Sequence, residues 1–159
     1  MNIWDLEKWK VFYGCKECRT GVRIFYDKQV DNEIKSSIKS FVSWLRVNYK
    51  FPKRVRVYIK SQRRIKSQIG DMVCGTFFRP ANRNVEPYIR IATGDYKELV
   101  ENQGRDNALA EILWTIAHEL THYFQWLNAL DLTLIGEERQ ATNYANRILK
   151  SYAETREHP

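Results

Sequence analysis

Two of the chain's three histidines lie four residues apart around a glutamate, His118-Glu119-Leu120-Thr121-His122, inside the stretch ILWTIAHELTHYFQWLNA. On a helix, residues four apart share a face, with Cβ atoms about 5–6 Å apart. Two imidazoles so placed can converge on one zinc ion at about 2.0–2.1 Å. Glu119 then stands beside the metal rather than on it, where a carboxylate can act as general base toward an attacking water. The bare pattern arises by accident in roughly one chain of this length in a few hundred, so its setting has to decide.

At 100° per residue, Leu109, Ile112, Leu113, Ile116, Leu120, Phe124 and Leu127 fall on one side of a helix. His118 and His122 fall on the other, with Glu111, Thr115 and Gln125. Core histidines would sit within the apolar stripe; this pair is presented opposite it.

A catalytic zinc needs a third protein ligand and an open position. His158 stands beside the end of the sequence, and Cys15, Cys18 and Cys74 are far away along it. The next helical stretch, GEERQATNYANRILKSYA, offers a better candidate. There Glu138 shares a face with Ala141, Ala145, Leu149 and Tyr152, and an acid heading an apolar face needs a partner if buried. The two alanines let this helix approach another closely. Glu137, rotated about 100° away, is the weaker choice. The expected set is His118, His122 and Glu138 on zinc.

The elements that must position these groups follow from periodicity. Ile34, Ile38, Phe41, Val42 and Leu45 mark a helix from Asp31 that ends at Phe51-Pro52. In RVRVYIK, Val55, Val57 and Ile59 alternate with Arg54, Arg56, Tyr58 and Lys60, the pattern of a half-buried strand. GVRIFY (Gly21 to Tyr26), MVCGTFF (Met72 to Phe78) and PYIRIAT (Pro87 to Thr93) are further strand candidates. Helices are expected from about Asp106 to Asn128 and from about Gly136 to Ala153. The order predicts an α+β domain with helices packed on a small antiparallel or mixed sheet. With 159 residues, 43% of them hydrophobic, and no linker-like tract, the chain reads as one domain over 1–159.

Together the two helices resemble the gluzincin zinc metallopeptidases, above all the ImmA/IrrE-type and minigluzincin-like proteins. Those families carry H-E-x-x-H on one helix and E-x-x-A-[ND]-x-[FY]-A-x-x-[LI]-[LM] on the next. Glu138, Ala141, Tyr144, Ala145, Ile148 and Leu149 match the second motif, and the likeness covers roughly residues 87–152. It implies a zincin-like fold: a small twisted sheet, an N-terminal helix, the His-Glu helix and a C-terminal glutamate helix. It also implies an endopeptidase acting on a protein or peptide substrate, with PYIRIAT as the edge strand along which an extended substrate lies. An intracellular regulatory role is implied too. Thr142 departs from the pattern, which has Asn or Asp there to support a zinc histidine; such outer partners are worth about 10–100-fold in affinity or activity.

Other signals weigh less. The absence of a long apolar run or a signal-peptide core, and an odd cysteine count, predict a cytoplasmic protein without a membrane span. Cys15-Lys16-Glu17-Cys18 has the spacing of a zinc knuckle or a redox pair; a structural zinc needs two further ligands and only Cys74 and His158 are left, so incidental cysteines or a local disulfide account for it more simply. Lys50, Lys53, Arg54, Arg56, Lys60, Arg63, Arg64 and Lys66 form a strip of eight cations without an acid, against a net charge of +7 for the chain. A solvent-facing strand accounts for the strip more simply than nucleic acid does. The alternative class is a catalytically latent zincin, or a SprT-like nucleic-acid-associated protein using this 50–66 strip. The SprT-like pattern expects a third histidine ligand downstream, and none stands between His122 and His158.

Overall fold

The computed structural model of the chain describes residues 2–11 and 19–155. After short 3-10 turns at Ile3–Asp5 and Lys8–Val11, the chain forms strand β1 (Val22–Tyr26), helix α1 (Asn32–Asn48) and strand β2 (Val55–Lys60). Strands β3 (Ile65–Lys66), β4 (Met72–Val73), β5 (Gly75–Phe78) and β6 (Tyr88–Ala92) follow, and then helices α2 (Tyr96–Gln103), α3 (Arg105–Leu127) and α4 (Leu134–Thr155). The architecture is mixed α+β.

Helix α1 starts where the Asp31 carboxylate accepts the Glu33 amide at 2.8 Å, an N-cap typically worth about 1 kcal/mol. Its predicted apolar face is buried in full: Ile34, Ile38, Phe41, Val42 and Leu45 are each at most 1% exposed. The helix gives way to extended backbone at Tyr49, just before Phe51-Pro52. As the crossover between β1 and β2, it lets those neighbours run parallel.

The sheet order is β1-β2-β6-β5. β1, β2 and β6 are mutually parallel, while β5 runs antiparallel to β6. Val55, Val57, Ile59, Ile89 and Ile91 are fully buried in the core shared with α1 and α3. Each such side chain contributes about 1.5–3 kcal/mol by burial.

Two strand expectations change. PYIRIAT is not an edge: β6 lies inside the sheet, and the edge beside it is β5. Residue order alone does not say on which side of a strand the next one pairs. The stretch 72–78 is also two strands rather than one. Chain direction breaks at Cys74, so that Met72–Val73 pairs back onto Ile65–Lys66 while Gly75–Phe78 pairs with β6.

Helix α3 begins after Gly104, whose φ of +87° is a conformation glycine adopts freely and which separates α3 from α2. Its apolar stripe packs inward as expected. Trp4 lies against Phe124 at 4.8 Å between ring centroids and donates its indole N–H to the Thr121 hydroxyl at 3.1 Å. The N-terminal turn is thereby fastened to the helix that carries the histidines. Ala141 and Ala145 of α4 are fully buried, as a close helix contact requires. No helix among the described residues is long and apolar enough to cross a membrane.

Candidate metal centre

Helices α3 and α4 bring His118, His122 and Glu138 together, with one donor atom from each lying within 4.8 Å of the others. His118 Nε2 is 3.1 Å from Glu138 Oε2, and His122 Nε2 is 2.9 Å from Glu138 Oε1. The two imidazole rings stand 5.0 Å apart at 80°. Among the described residues, no other group of His, Cys, Asp and Glu side chains meets this geometry. Cys15, Cys18 and His158 lie outside the described residues.

The histidine side of α3 is not solvent-facing. His122 is 7% exposed, Glu119 7% and Gln125 1%. Glu138 is not the buried acid that the apolar-face reading expects: its side chain is 64% exposed. It stands at the rim and reaches inward. The buried acid is its neighbour Glu137, which accepts two hydrogen bonds from the Arg79 guanidinium at 2.8 and 3.2 Å. One step of about 100° along α4 thus separates a carboxylate that ties down the end of β5 from one that faces the imidazoles.

A short relay fixes the tautomer of His122. The Glu137 carbonyl can only accept a hydrogen bond, so the Gln125 group 3.0 Å from it is the amide nitrogen. The same nitrogen donates to Gln140 Oε1 at 3.0 Å. Gln125 Oε1 therefore faces His122 Nδ1, 2.8 Å away, and must accept its proton. A neutral His122 so held directs the Nε2 lone pair at the Glu138 carboxylate. Two lone pairs at 2.9 Å repel unless a proton or a cation lies between them. Neutral imidazole nitrogens and a carboxylate oxygen are the donor set of a catalytic zinc site, and the oriented Nδ1–H is the support such ligands ordinarily have. The residues fit the ion.

His118 is held differently. Its Nδ1 is buried with no hydrogen-bond partner among the described residues. Trp114 covers its ring at 5.1 Å and is itself held by an indole N–H bond to Asn146 Oδ1 at 2.8 Å. Thr142, at the position where the resembled families carry Asn or Asp, is exposed. Burial, aided by the neighbouring His122 charge, holds the His118 pKa below its ordinary value, with Glu138 opposing. That favours the unprotonated ring a metal needs.

Glu119 is pushed up to about 8, first by burial and then by the negative charge of Glu138. A carboxylate with a pKa near the working pH suits a general base. It lies against the edge strand. A Cβ at Gly75 would come within 2.9 Å of Thr115 Cγ2 and 3.1 Å of Glu119 Cγ, so only glycine lets β5 pass this close. Sequence reasoning missed Gly75 and Arg79. Both sit in the MVCGTFF–RP region, and neither carries a periodic signal.

Other side chains near the site are engaged elsewhere. Trp126 is buried and donates to the Pro80 carbonyl at 2.9 Å. The Tyr96 hydroxyl donates to Glu33, and the Tyr144 hydroxyl accepts from the Ile3 amide. Most cations of the basic strip face acids. Arg54 and Arg56 approach Glu86, Lys60 approaches Asp27, Arg63 pairs with Glu98 and Arg64 with Asp95. Lys53 is buried.

Comparison with protein-family models, with curated proteins and with solved structures finds no match to this chain.

Proposed function

We propose that this protein is a zinc-dependent endopeptidase of the gluzincin type, intracellular and zincin-like in fold. His118, His122 and Glu138 hold the metal, and Glu119 is the catalytic base. The observation that carries the reading is the relay through Gln125, which aims His122 Nε2 at the Glu138 carboxylate that His118 Nε2 also faces, so that one metal ion can take the place a proton would otherwise fill.

Zinc held there supplies Lewis acidity, polarising a carbonyl oxygen and acidifying water. The chain's own residues do the rest. Glu119 takes the proton from the attacking water and passes it to the departing amine, and its place against Gly75 sets it beside the substrate strand. Gln125 keeps His122 in one tautomer. The free edge of β5, rather than β6, lies next to the site, and an extended peptide can add there by main-chain pairing. The Arg79–Glu137 pair ties that edge to α4.

The test is a comparison of two variants on an unstructured protein substrate. Glu119→Gln keeps zinc and loses about 10²–10⁴-fold in peptide cleavage, the range of a general base. His118→Ala loses both zinc and cleavage. A zinc-loaded wild-type protein that cleaves no peptide under any condition would contradict the assignment and leave a latent zincin.

A further inference from the structure

At the opposite edge of the sheet, β1 and α1 flank an open surface groove of about 350 Å³ lined by Arg23, Lys35, Lys39 and Arg46, together with Ser36, Tyr26, Ile24 and Val42. None of its lining residues is acidic. Among the described residues, these four cations form no ion pair, in contrast to the strip at 50–66. Arg46 donates to the Val22 carbonyl, and Lys35 lies 5.9 Å from the Tyr26 ring centre. Like charges gathered without counter-charges repel one another, so an anion bound among them is stabilised.

The cations are arranged in a line. Lys35, Lys39 and Arg46 follow one stripe of α1, and eleven residues of helix extend about 16 Å. That is longer than one phosphate group needs and suits a linear polyanion. Round the β1 edge, on the sheet face turned away from α1, Arg23 links the groove to an aromatic surface. Arg23 stands over the Phe25 ring at 5.6 Å, and Phe25 stacks on Tyr58 at 5.3 Å and 21°. Phe25 is 38% exposed, on the same face of β1 as Arg23. A basic track beside an exposed, flat aromatic pair is how proteins hold unpaired bases while following their phosphates. A duplex buries the base faces such a pair would stack on.

We infer that the β1 edge binds single-stranded nucleic acid, with phosphates along Lys35, Lys39 and Arg46 in the groove and the strand passing round the edge at Arg23 to lay a base on the Phe25–Tyr58 stack. This function is independent of the metal centre, which lies at the β5 edge.

The experiment uses the full chain and a fluorescently labelled oligo-deoxythymidylate of about a dozen residues, read by anisotropy across salt concentrations from about 50 mM upward. Lys35→Glu/Lys39→Glu weakens binding by more than about tenfold and flattens the slope of log K against log salt by about 1.4, two contacts at about 0.7 each. Phe25→Ala weakens it by roughly tenfold with the slope unchanged, as loss of stacking requires. Arg63→Ala/Arg64→Ala leaves it unchanged. Circular dichroism and zinc content, unaltered in every variant, exclude unfolding as the cause. The inference is overturned if the wild-type chain does not bind the strand at low salt, or if the double-glutamate variant binds as well as wild type. It is also overturned if a duplex or poly-glutamate competes equally, or if inorganic phosphate at equal phosphate concentration displaces the strand.

Discussion

At the β5 edge of the sheet, polar groups are buried and committed: Glu137 to Arg79, Gln125 to three partners, His122 to Gln125 and Glu138. At the β1 edge, Arg23 and Lys39 stand exposed beside Lys35 and Arg46 with no acid in the groove wall. The first arrangement holds a carboxylate and two imidazoles at contact distance, and on the proposed reading a small cation completes it. The second gathers positive charge along a line, and on the inferred reading an extended anion completes it. The contrast shows why charge counted along the chain misleads. Most cations of the most basic stretch of the sequence face acids from elsewhere, and the cations without an acid partner among the described residues gather on β1 and α1, where no run of letters marks them.

The contrast can be broken first at Gln125. Gln125→Leu removes the acceptor that orients His122 and leaves the buried Nδ1 unpaired. Zinc affinity falls about 10–100-fold, the cost typical of losing an outer partner, as measured by competition with a chelating dye. Strand binding at the β1 edge stays as it was, because the two edges do not share residues.

A second test uses pH on the metal-free protein. The folded Glu119 pKa of about 8 lies above the ordinary carboxylate value of 4.5, so the native state holds a proton that the unfolded chain releases in this window. Stability therefore falls as pH rises from about 4.5 to about 8, and it is fully present only below that range. Glu119→Gln, neutral and nearly isosteric, removes this slope and makes the apoprotein more stable at pH 8 by about 1–3 kcal/mol, the usual cost of an unsatisfied buried group. Thermal melts at pH 5 and pH 8 check it, and an unchanged slope in the variant would refute the assignment to Glu119.

The smallest expected effect sharpens the difference between the two histidines. His122 has its partner in Gln125, whereas His118 Nδ1 has none among the described residues. Thr142 lies one helical turn beyond Glu138 on α4. Thr142→Asp places an acceptor on that side and raises zinc affinity by up to about tenfold, the low end of what such partners contribute. No change, with the aspartate visible in contact with water only, would show that His118 needs no support.

How much of this was readable from the chain follows from the range of each interaction. The apolar faces of α1 and α3 and the alternation of β2 are local periodicities, and the structure places all three as expected, whereas on α4 Ala141, Ala145 and Tyr152 are buried beside Glu137, Tyr144 and Ile148 rather than Glu138 and Leu149. The opposition of the histidines to the apolar stripe, with Gln125 on their side, is equally local. Sheet order is not. β6 and β5 read alike as short strands, and only pairing across the fold makes β5 the edge. The ambiguity between Glu137 and Glu138 could be resolved by helical angle, but the reason given for it failed. Glu138 is exposed rather than buried, and the burial belongs to Glu137 because Arg79, 58 residues away in sequence, supplies its partner. Gly75 could not be found from periodicity, since its role is to leave room for a side chain 44 positions later.

The central claim rests on the cation between His122 and Glu138, and metal content tests it most directly. Protein purified without chelators and exchanged into metal-free buffer is analysed for zinc by elemental analysis beside His122→Ala and Glu138→Ala. The account predicts about one zinc per chain in the wild type and none retained in either variant, as a three-ligand site requires. Wild-type protein that neither carries zinc nor takes it up on titration would contradict it.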